Sequence, residues 1–285
     1  MRCWRVNMNY RIIGDSCTDL TEELKKDEHI KLVPLTLEVD GVEYRDDETF
    51  DQAAFIKAVN DSENSTKSSC PAPEAYMDHF DFDGDIYVIT LTGNLSGSYN
   101  SAELAKRLYL EDNPNKNIAV INSCSASVGQ TLILLKIKEL VEAGKSFEEV
   151  VTLANKFRDE MQTKFVLESL ETLRKNGRLS NIKAALASVL NLKPVMCATP
   201  EGEIEKVDQA RGIKKALKLM VEIIEKDAFD VTNRILGIAH CNNYERALFV
   251  KQEILARVPF KDCIITGMAG VSTLYANDGG IIVCY

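Results

Sequence analysis

The sequence predicts an α/β protein in two parts: a parallel α/β first part and an α+β second part whose sheet is largely antiparallel. In the first half, apolar runs typical of buried strands alternate with helical patterns, and three strands end in loops rich in Ser and Thr. In the second half, hairpins are mixed with helices, which favours an antiparallel sheet. We expect one domain at residues 10–160 and another at residues 161–285, divided within a charged helix.

The first half carries the clearest local signals. Asp40 and Gly41 predict a hairpin turn, because both residue types tolerate a positive φ. Gly144 ends a long helix, and Ser146 with Glu149 predicts a capping box at the start of the next one. The predicted strands are residues 11–13, 32–39, 42–44, 85–91 and 117–121, and the predicted helices are residues 50–59, 73–80, 99–110 and 128–143.

The second half has a different rhythm. Residues 200–202 (Pro-Glu-Gly) predict a hairpin between two strands, and Asn176 with Gly177 predicts the end of a short helix. The predicted strands are residues 194–198, 203–207, 235–239, 263–267 and 280–284, and the predicted helices are residues 169–178, 180–190 and 213–224.

Composition excludes several classes of protein. The 285 residues are 45% hydrophobic and 27% charged with a net charge of −9, which is typical of a globular protein without a nucleic-acid surface. The apolar runs are too short to span a bilayer, and residues 1–9 lack the apolar core of a signal peptide. Eight Cys without CxxC spacing and three His without metal spacing predict no cofactor and no metal site. We therefore expect a cytoplasmic protein with free thiols.

A Gly/Ser loop between a strand and a helix, residues 92–99 (TGNLSGSY), predicts an anion site. The backbone N–H groups of such a loop and the helix N-terminus point at one spot, and the helix dipole favours negative charge there. The ligand would carry a carboxylate or a phosphate. The same residue types are equally typical of a turn that only makes the bend and caps the helix.

Four motifs occur in an order that resembles one known family, the DegV family. DSCTDL is similar to its DSTADL, SSCPAP to its TSQPSP, NLSGSYNSA to its GLSGTYQSA, and LRKNGRLS followed by LNLKP to its LKKGGRIS…LNIKP. The motifs lie at residues 15–20, 68–73, 94–102, 173–180 and 190–194. The resemblance runs from about residue 10 to the C-terminus.

The resemblance implies a two-domain fold that binds one long-chain fatty acid between the domains. Hydroxyl groups, a backbone N–H and a basic residue would hold the carboxylate, and an apolar tunnel would hold the acyl chain. In many bacteria such a protein is the binding subunit of fatty acid kinase. A separate ATP-binding protein then phosphorylates the bound carboxylate for phospholipid synthesis.

The resemblance also implies a set of ligand-binding residues. Ser68 stands at the Thr of TSQPS, and Ser96 with Gly97 stands at the Ser-Gly of GLSGT. Arg211 stands at the first Arg of the family pattern RxRKKA. Tyr275 replaces a His that completes the head-group network of the family. A Tyr hydroxyl can donate one hydrogen bond, but it is no cation and does not titrate near neutrality.

Three other features have two interpretations each. Residues 144–146 (GKS) are similar to the end of a phosphate-binding loop, but Glu139 stands where that motif needs Gly, so a helix stop and a helix cap explain them better. Cys70 is either a bystander thiol in a ligand loop or a nucleophile served by a distant His. Arg178 is either a docking charge for a partner or a cation at a helix C-terminus.

Three functions stay open at this point. The first is a fatty-acid-binding protein, not itself an enzyme, that presents its ligand to a kinase. The second is a lipid-binding protein uncoupled from any kinase, which the loss of the His at Tyr275 would allow. The third is a stand-alone small-molecule kinase, because the family fold is similar to that of dihydroxyacetone kinase domains. The lack of a phosphate-binding motif argues against the third, so we expect no catalytic residue.

Overall fold

A computed structural model describes residues 9–64, 66–179 and 191–285 of the chain, and the helix predicted at residues 180–190 lies outside them. The strands are β1 (Tyr10–Asp15), β2 (Ile30–Val33), β3 (Thr36–Val39), β4 (Val42–Arg45), β5 (Lys67–Ser69), β6 (Asp85–Thr90), β7 (Ile118–Asn122), β8 (Thr163–Val166), β9 (Leu192–Ala198), β10 (Ile204–Arg211), β11 (Ile235–His240), β12 (Asp262–Gly267) and β13 (Ile281–Cys284). The helices are α1 (Gln52–Asp61), α2 (Pro73–Met77), α3 (Ser98–Asp112), α4 (Val128–Glu142), α5 (Phe147–Glu160), α6 (Glu171–Lys175), α7 (Ile213–Asp227), α8 (Tyr244–Leu255) and α9 (Gly270–Ala276).

The first sheet is fully parallel, as predicted, with the strand order β2-β1-β6-β7. Successive residues of its strands point to opposite faces. Ile12 and Tyr87 therefore pack against α4 and α5, while Ile13 and Val88 pack against α2 and α3. Helices cover both faces, so the carboxyl edge of the strands is where a ligand can reach this sheet.

The second sheet has the order β10-β9-β8-β13-β11-β12, and only β11 and β12 run parallel to each other. This confirms the predicted, largely antiparallel second part. One face, which includes Val166 and Ile238, packs against α7 and α8. The opposite face carries Phe165 and is directed toward the first half of the chain.

A small third sheet, in the order β4-β3-β5, lies beside α1 and α9. The turn between its first two strands has φ values of 51° at Asp40 and 79° at Gly41, which confirms the predicted hairpin. Leu37 of β3 packs with Leu274 of α9. This sheet therefore brings Ser68 of β5 next to Tyr275 of α9.

The structure corrects several element predictions. Residues 32–39 belong to two strands in two different sheets, because Pro34 interrupts the strand between Val33 and Thr36. The strands β5 and β8 and the helices α8 and α9 were not predicted, and α6 is shorter than the predicted 169–178. The capping box of Ser146 and Glu149 is present. Among the described helices, none has the length and apolar content needed to cross a membrane.

Candidate ligand site

A cavity of about 310 Å³ lies where the carboxyl edge of the parallel sheet meets the free face of the second sheet. From the first half it is lined by residues that follow β1, β6 and β7, among them Cys17, Leu91 and Ala126. From the second half it is lined by residues of β8, β13 and α9. Its volume falls at the lower end of the range of small-molecule sites.

The apolar wall of the cavity follows from the alternation of side chains along a strand. Thr163, Phe165 and Leu167, at every second position from the start of β8, line the cavity. The intervening Val166 packs toward α7 in the core of the second half, and Lys164 pairs with Asp227 of α7 at 3.0 Å. Positions 163 to 167 span roughly 13 Å along the strand direction. This is an elongated, mainly apolar surface suited to an alkyl chain.

The opposite end of the cavity is polar. Ser68, Ser96, Gly97 and Tyr275 all line it, so the structure brings together four of the five predicted ligand-binding residues. The hydroxyl oxygens of Ser68 and Tyr275 are 2.8 Å apart, so these two side chains share a hydrogen bond. Whether either hydroxyl touches a carboxylate stays a prediction.

Most polar backbone groups of the loop before α3 form hydrogen bonds within the loop. The amides of Leu95 and Ser96 both donate to the carbonyl of Thr92 at 3.1 Å, and the Ser98 amide donates to Ser96 Oγ at 3.2 Å. The Gly97 N–H finds no acceptor among the residues that the structure describes. The loop thus offers an anion one free amide and the Ser96 hydroxyl, fewer donors than the sequence pattern suggested.

A buried carboxylate, Asp15, holds this loop in place. Its Oδ2 accepts hydrogen bonds from Ser98 Oγ at 2.5 Å and from the Leu91 amide at 2.7 Å, and its Oδ1 accepts from Gln130 Nε2 at 2.8 Å. Burial raises the pKa of Asp15, while these hydrogen bonds work in the opposite direction. Asp15 therefore joins the ends of β1 and β6 to the beginnings of α3 and α4.

Two more buried carboxylates of the first half hold α9, the helix that carries Tyr275. The Ala269 amide donates to Asp19 at 2.7 Å, and the amides of Gly270 and Val271 donate to Asp46 at 2.6 and 2.8 Å. Burial raises the pKa of Asp46 to about 6 and that of Asp19 to about 7. Sequence reasoning missed Asp46, because it lies in an acidic surface-like stretch with no motif.

Arg178 lies at the polar end of the cavity, whereas the predicted Arg211 does not. Arg178 lines the cavity, its Nε donates to the Leu95 carbonyl at 3.1 Å, and its guanidinium carbon is 5.9 Å from the centre of the Tyr275 ring. Arg211 ends β10, is exposed and is not among the described residues that line the cavity. Ile204, at the start of β10, lines the cavity, whereas Arg211 lies at the opposite end of that strand.

Other candidates have less direct roles. Cys70 is exposed and lines the polar end, close enough to Gly97 that a Cβ at that glycine would lie 2.9 Å from the Cys70 sulfur. His240 is half-buried, accepts from the Asn243 amide at 3.2 Å and lies outside the cavity lining, as expected of a structural His. Over the described ranges, no three His, Cys, Asp or Glu side chains form a group that could hold a metal ion.

Comparison with known proteins places the whole chain in one family. The family model described as "Uncharacterised protein, DegV family" matches residues 9–285, so the chain belongs to the DegV family. A DegV domain-containing protein of Streptococcus pyogenes is 36% identical over 282 residues, which cover 98% of this chain and 99% of the relative.

Solved structures of the family superimpose closely on this chain. The crystal structure of a DegV-family protein of Ruminococcus gnavus with vaccenic acid has a TM-score of 0.95 and 45% identity, over 98% of this chain and 99% of that one. The Streptococcus pneumoniae Fatty Acid Kinase (Fak) B3 protein loaded with linoleic acid has a TM-score of 0.89 and 33% identity, over the same shares of the two chains, 98% and 99%.

Proposed function

We propose that this protein binds one long-chain fatty acid in the cavity between its two sheets. The observation that carries the proposal is a single cavity with an elongated apolar wall at one end and hydroxyls, a free amide and an arginine at the other. Related chains that are 45% and 33% identical were crystallised with vaccenic acid and with linoleic acid. Burying about fourteen methylenes would contribute on the order of 10 kcal/mol before the costs of ordering the ligand.

The carboxylate would lie at the polar end. There the Ser96 hydroxyl, the Gly97 amide and the one hydroxyl hydrogen that the Ser68–Tyr275 bond leaves free would donate to it. Arg178 supplies the positive charge in place of Arg211. Hydrogen bonds to a charged group are shorter and roughly twice as strong as neutral ones, so this end fixes the orientation of the ligand.

The role we propose is that of a non-catalytic binding subunit. The protein would present the carboxylate to a separate ATP-binding kinase for use in phospholipid metabolism, since a relative that is 33% identical is named as a component of fatty acid kinase. It would work in the cytoplasm, in keeping with seven free thiols among the described residues. We also propose that residues 10–160 and 161–285 are its two domains, which close on the ligand from either side.

Two measurements test this proposal. Solvent extraction of the denatured protein, followed by mass spectrometry, should give a long-chain fatty acid in near-stoichiometric amount. Protein stripped of lipid and reloaded with a labelled fatty acid should yield acyl phosphate when an ATP-binding kinase subunit and ATP are added. Absence of any fatty acid from the extract, and of binding after reloading, would reject lipid binding. Binding without acyl phosphate would instead favour a lipid-binding protein uncoupled from a kinase.

A further inference from the structure

Two hydroxyl groups on the cavity wall are not among the groups that form its polar end, and the head group does not account for them. They belong to Ser125, in the loop after β7, and to Thr163, at the start of β8. Both residues line the cavity and are nearly inaccessible, with 3% and 6% of their surfaces exposed. Their oxygens are 2.7 Å apart. Since the surrounding wall is mainly apolar, this pair is out of place for a site that holds only an alkyl chain.

The position of the pair along the cavity follows from β8. The Ser169 carbonyl accepts a hydrogen bond from Asn277, two residues beyond Tyr275, so the chain just after β8 lies at the polar end. Thr163 begins β8, four positions before Leu167, and is therefore roughly 13 Å further along the wall. The Ser125 carbonyl also accepts a hydrogen bond from the Thr92 amide at 3.0 Å, at the start of the loop that carries Ser96, so the pair would face the middle of a bound acyl chain.

The hydrogen-bond inventory of the pair is incomplete on the protein side. Two hydroxyls carry two hydrogens, and the bond between them uses one. Among the described residues, no further oxygen acceptor is within hydrogen-bond distance of either hydroxyl. The neighbouring Cys284 sulfur donates to Thr163 Oγ1 at 3.4 Å and lies 3.9 Å from Ser125 Oγ. One hydroxyl hydrogen thus has only a sulfur as a distant acceptor.

Other hydroxyls on the same wall differ in this respect. Thr92 Oγ1 donates to the Gly202 carbonyl at 3.1 Å, and Ser127 Oγ donates to the Asp19 carboxylate. Their hydrogens are engaged by strong oxygen acceptors, so they present little unmet hydrogen-bonding capacity to a ligand. Compared with Thr92 and Ser127, the Ser125–Thr163 pair is therefore the place at which a ligand oxygen would gain the most hydrogen bonding.

We propose that the Ser125–Thr163 pair is a subsite for an oxygen substituent on the acyl chain, and that the ligands of this protein include mid-chain hydroxy fatty acids. A ligand hydroxyl there accepts the spare hydrogen and donates to the other oxygen of the pair. In a purely apolar wall the same hydroxyl would lose its hydrogen bonds to water without replacement, which is costly. This inference rests on the proposed fatty-acid site and adds the class of acyl chain to it.

The test is competition of unlabelled acids with a fluorescent fatty acid on the delipidated, full-length protein. The acids are stearic acid, 12-hydroxystearic acid and 2-hydroxystearic acid, whose hydroxyl lies beside the carboxylate. The wild-type protein should bind 12-hydroxystearic acid at least as tightly as stearic acid. The double variant S125A/T163V removes both partners together and leaves neither unpaired. Relative to stearic acid, it should bind 12-hydroxystearic acid about tenfold more weakly than the wild type does.

A matched control is Thr266→Val on β12. Thr266 is 1% exposed, its hydroxyl has no partner among the described residues and it does not line the cavity, so all three acids should bind this variant as they bind the wild type. Tenfold weaker binding of 12-hydroxystearic acid than of stearic acid by the wild type would overturn the inference. So would an equal loss of both acids in the double variant. If stearic acid itself does not bind the wild type, the proposed fatty-acid site fails instead, and this inference fails with it.

Discussion

The two ends of the cavity are built in different ways. The part of the apolar wall that β8 supplies is a local product of that strand, since alternate residues of β8 face the ligand space and those between them face the core. The polar end collects loops from distant parts of the chain, and buried carboxylates hold them: Asp15 holds the loop before α3, while Asp19 and Asp46 hold α9. We infer that substitutions in the apolar wall change ligand affinity by small steps. Loss of a single buried carboxylate, in contrast, should disturb the whole polar end.

Replacing Asp15 should have the largest effect. Asp15→Ala leaves the Leu91 amide and the side chains of Ser98 and Gln130 without their buried acceptor. Each unpaired donor costs about 1–3 kcal/mol, so the free energy of unfolding should fall by about 4 kcal/mol in urea denaturation. The control is Asp112→Ala at the exposed end of α3, which should change it by less than about 0.5 kcal/mol. A small effect at Asp15 would mean that the loop supports itself.

The free energy of unfolding should depend on pH through the buried carboxylates that hold α9. Burial raises the pKa of Asp19 to about 7, against an ordinary value of 3.8, so the folded protein keeps a proton that the unfolded chain releases between these pH values. The free energy of unfolding should therefore fall as the pH rises from about 4 to about 7, by on the order of 3 kcal/mol. In denaturation measured across the range, Asp19→Asn should reduce this slope and leave the part that Asp46 and Asp15, whose pKa values are also raised, contribute. An unchanged slope would contradict the assignment to Asp19.

At the apolar end, Phe165→Ala should enlarge the cavity without removing a hydrogen bond. Phe165 is 8% exposed and lines the wall, so part of its surface already faces the ligand space. We expect a loss of about 2–3 kcal/mol in the free energy of unfolding, at the lower end of the range for buried Phe. Competition binding should show a shift of preference toward longer or bulkier acids. Equal losses for all chain lengths would argue that this residue does not bound the acyl chain.

Arg178 and Arg211 should differ in how much they contribute to fatty-acid binding. Arg178→Gln should weaken fatty-acid binding by about 2 kcal/mol, because it removes a charge-assisted partner of the carboxylate. Arg211→Gln is the matched control and should leave affinity within about twofold, since Arg211 lies on an edge strand outside the described cavity lining. Displacement of a fluorescent fatty acid measures both. The reverse ranking would restore Arg211 as the head-group cation.

Tyr275→Phe should have the smallest effect. It removes one hydroxyl, and with it the 2.8 Å hydrogen bond to Ser68, while the ring stays in place against Arg178. Affinity for a fatty acid should fall by about 1 kcal/mol, and affinity for the corresponding methyl ester should fall less. Isothermal titration with both ligands checks this. Unchanged affinity for the acid would make Tyr275 a space-filling residue between the domains.

Much of the fold could be predicted because its signals are local. Buried parallel strands are continuous apolar runs, and a Gly/Ser loop before an amphipathic run marks the start of α3. The helices α8 and α9 were missed for opposite reasons. Apolar residues of α8 are spread among charged ones, while α9 is short and rich in small side chains. Ser68 and Tyr275 were singled out only through the order of family motifs, whereas Ser96 and Gly97 also lie in the Gly/Ser loop whose chemistry predicts an anion site.

The sequence by itself determined the α/β class, the sites of the turns and the residue types available to an anion, since each depends on neighbours a few positions apart. Only the tertiary structure decided which of these residues meet. Arg178 follows Gly177 and Arg211 precedes Gly212, but Arg178 lines the cavity while Arg211 lies at the end of β10 opposite to the cavity-lining Ile204. Asp46 and Thr163 carry no sequence signal, and the Ser-rich loop after β7 does not show that Ser125 will meet Thr163. Their roles arise because burial leaves a polar group few partners, and the fold alone chooses those partners.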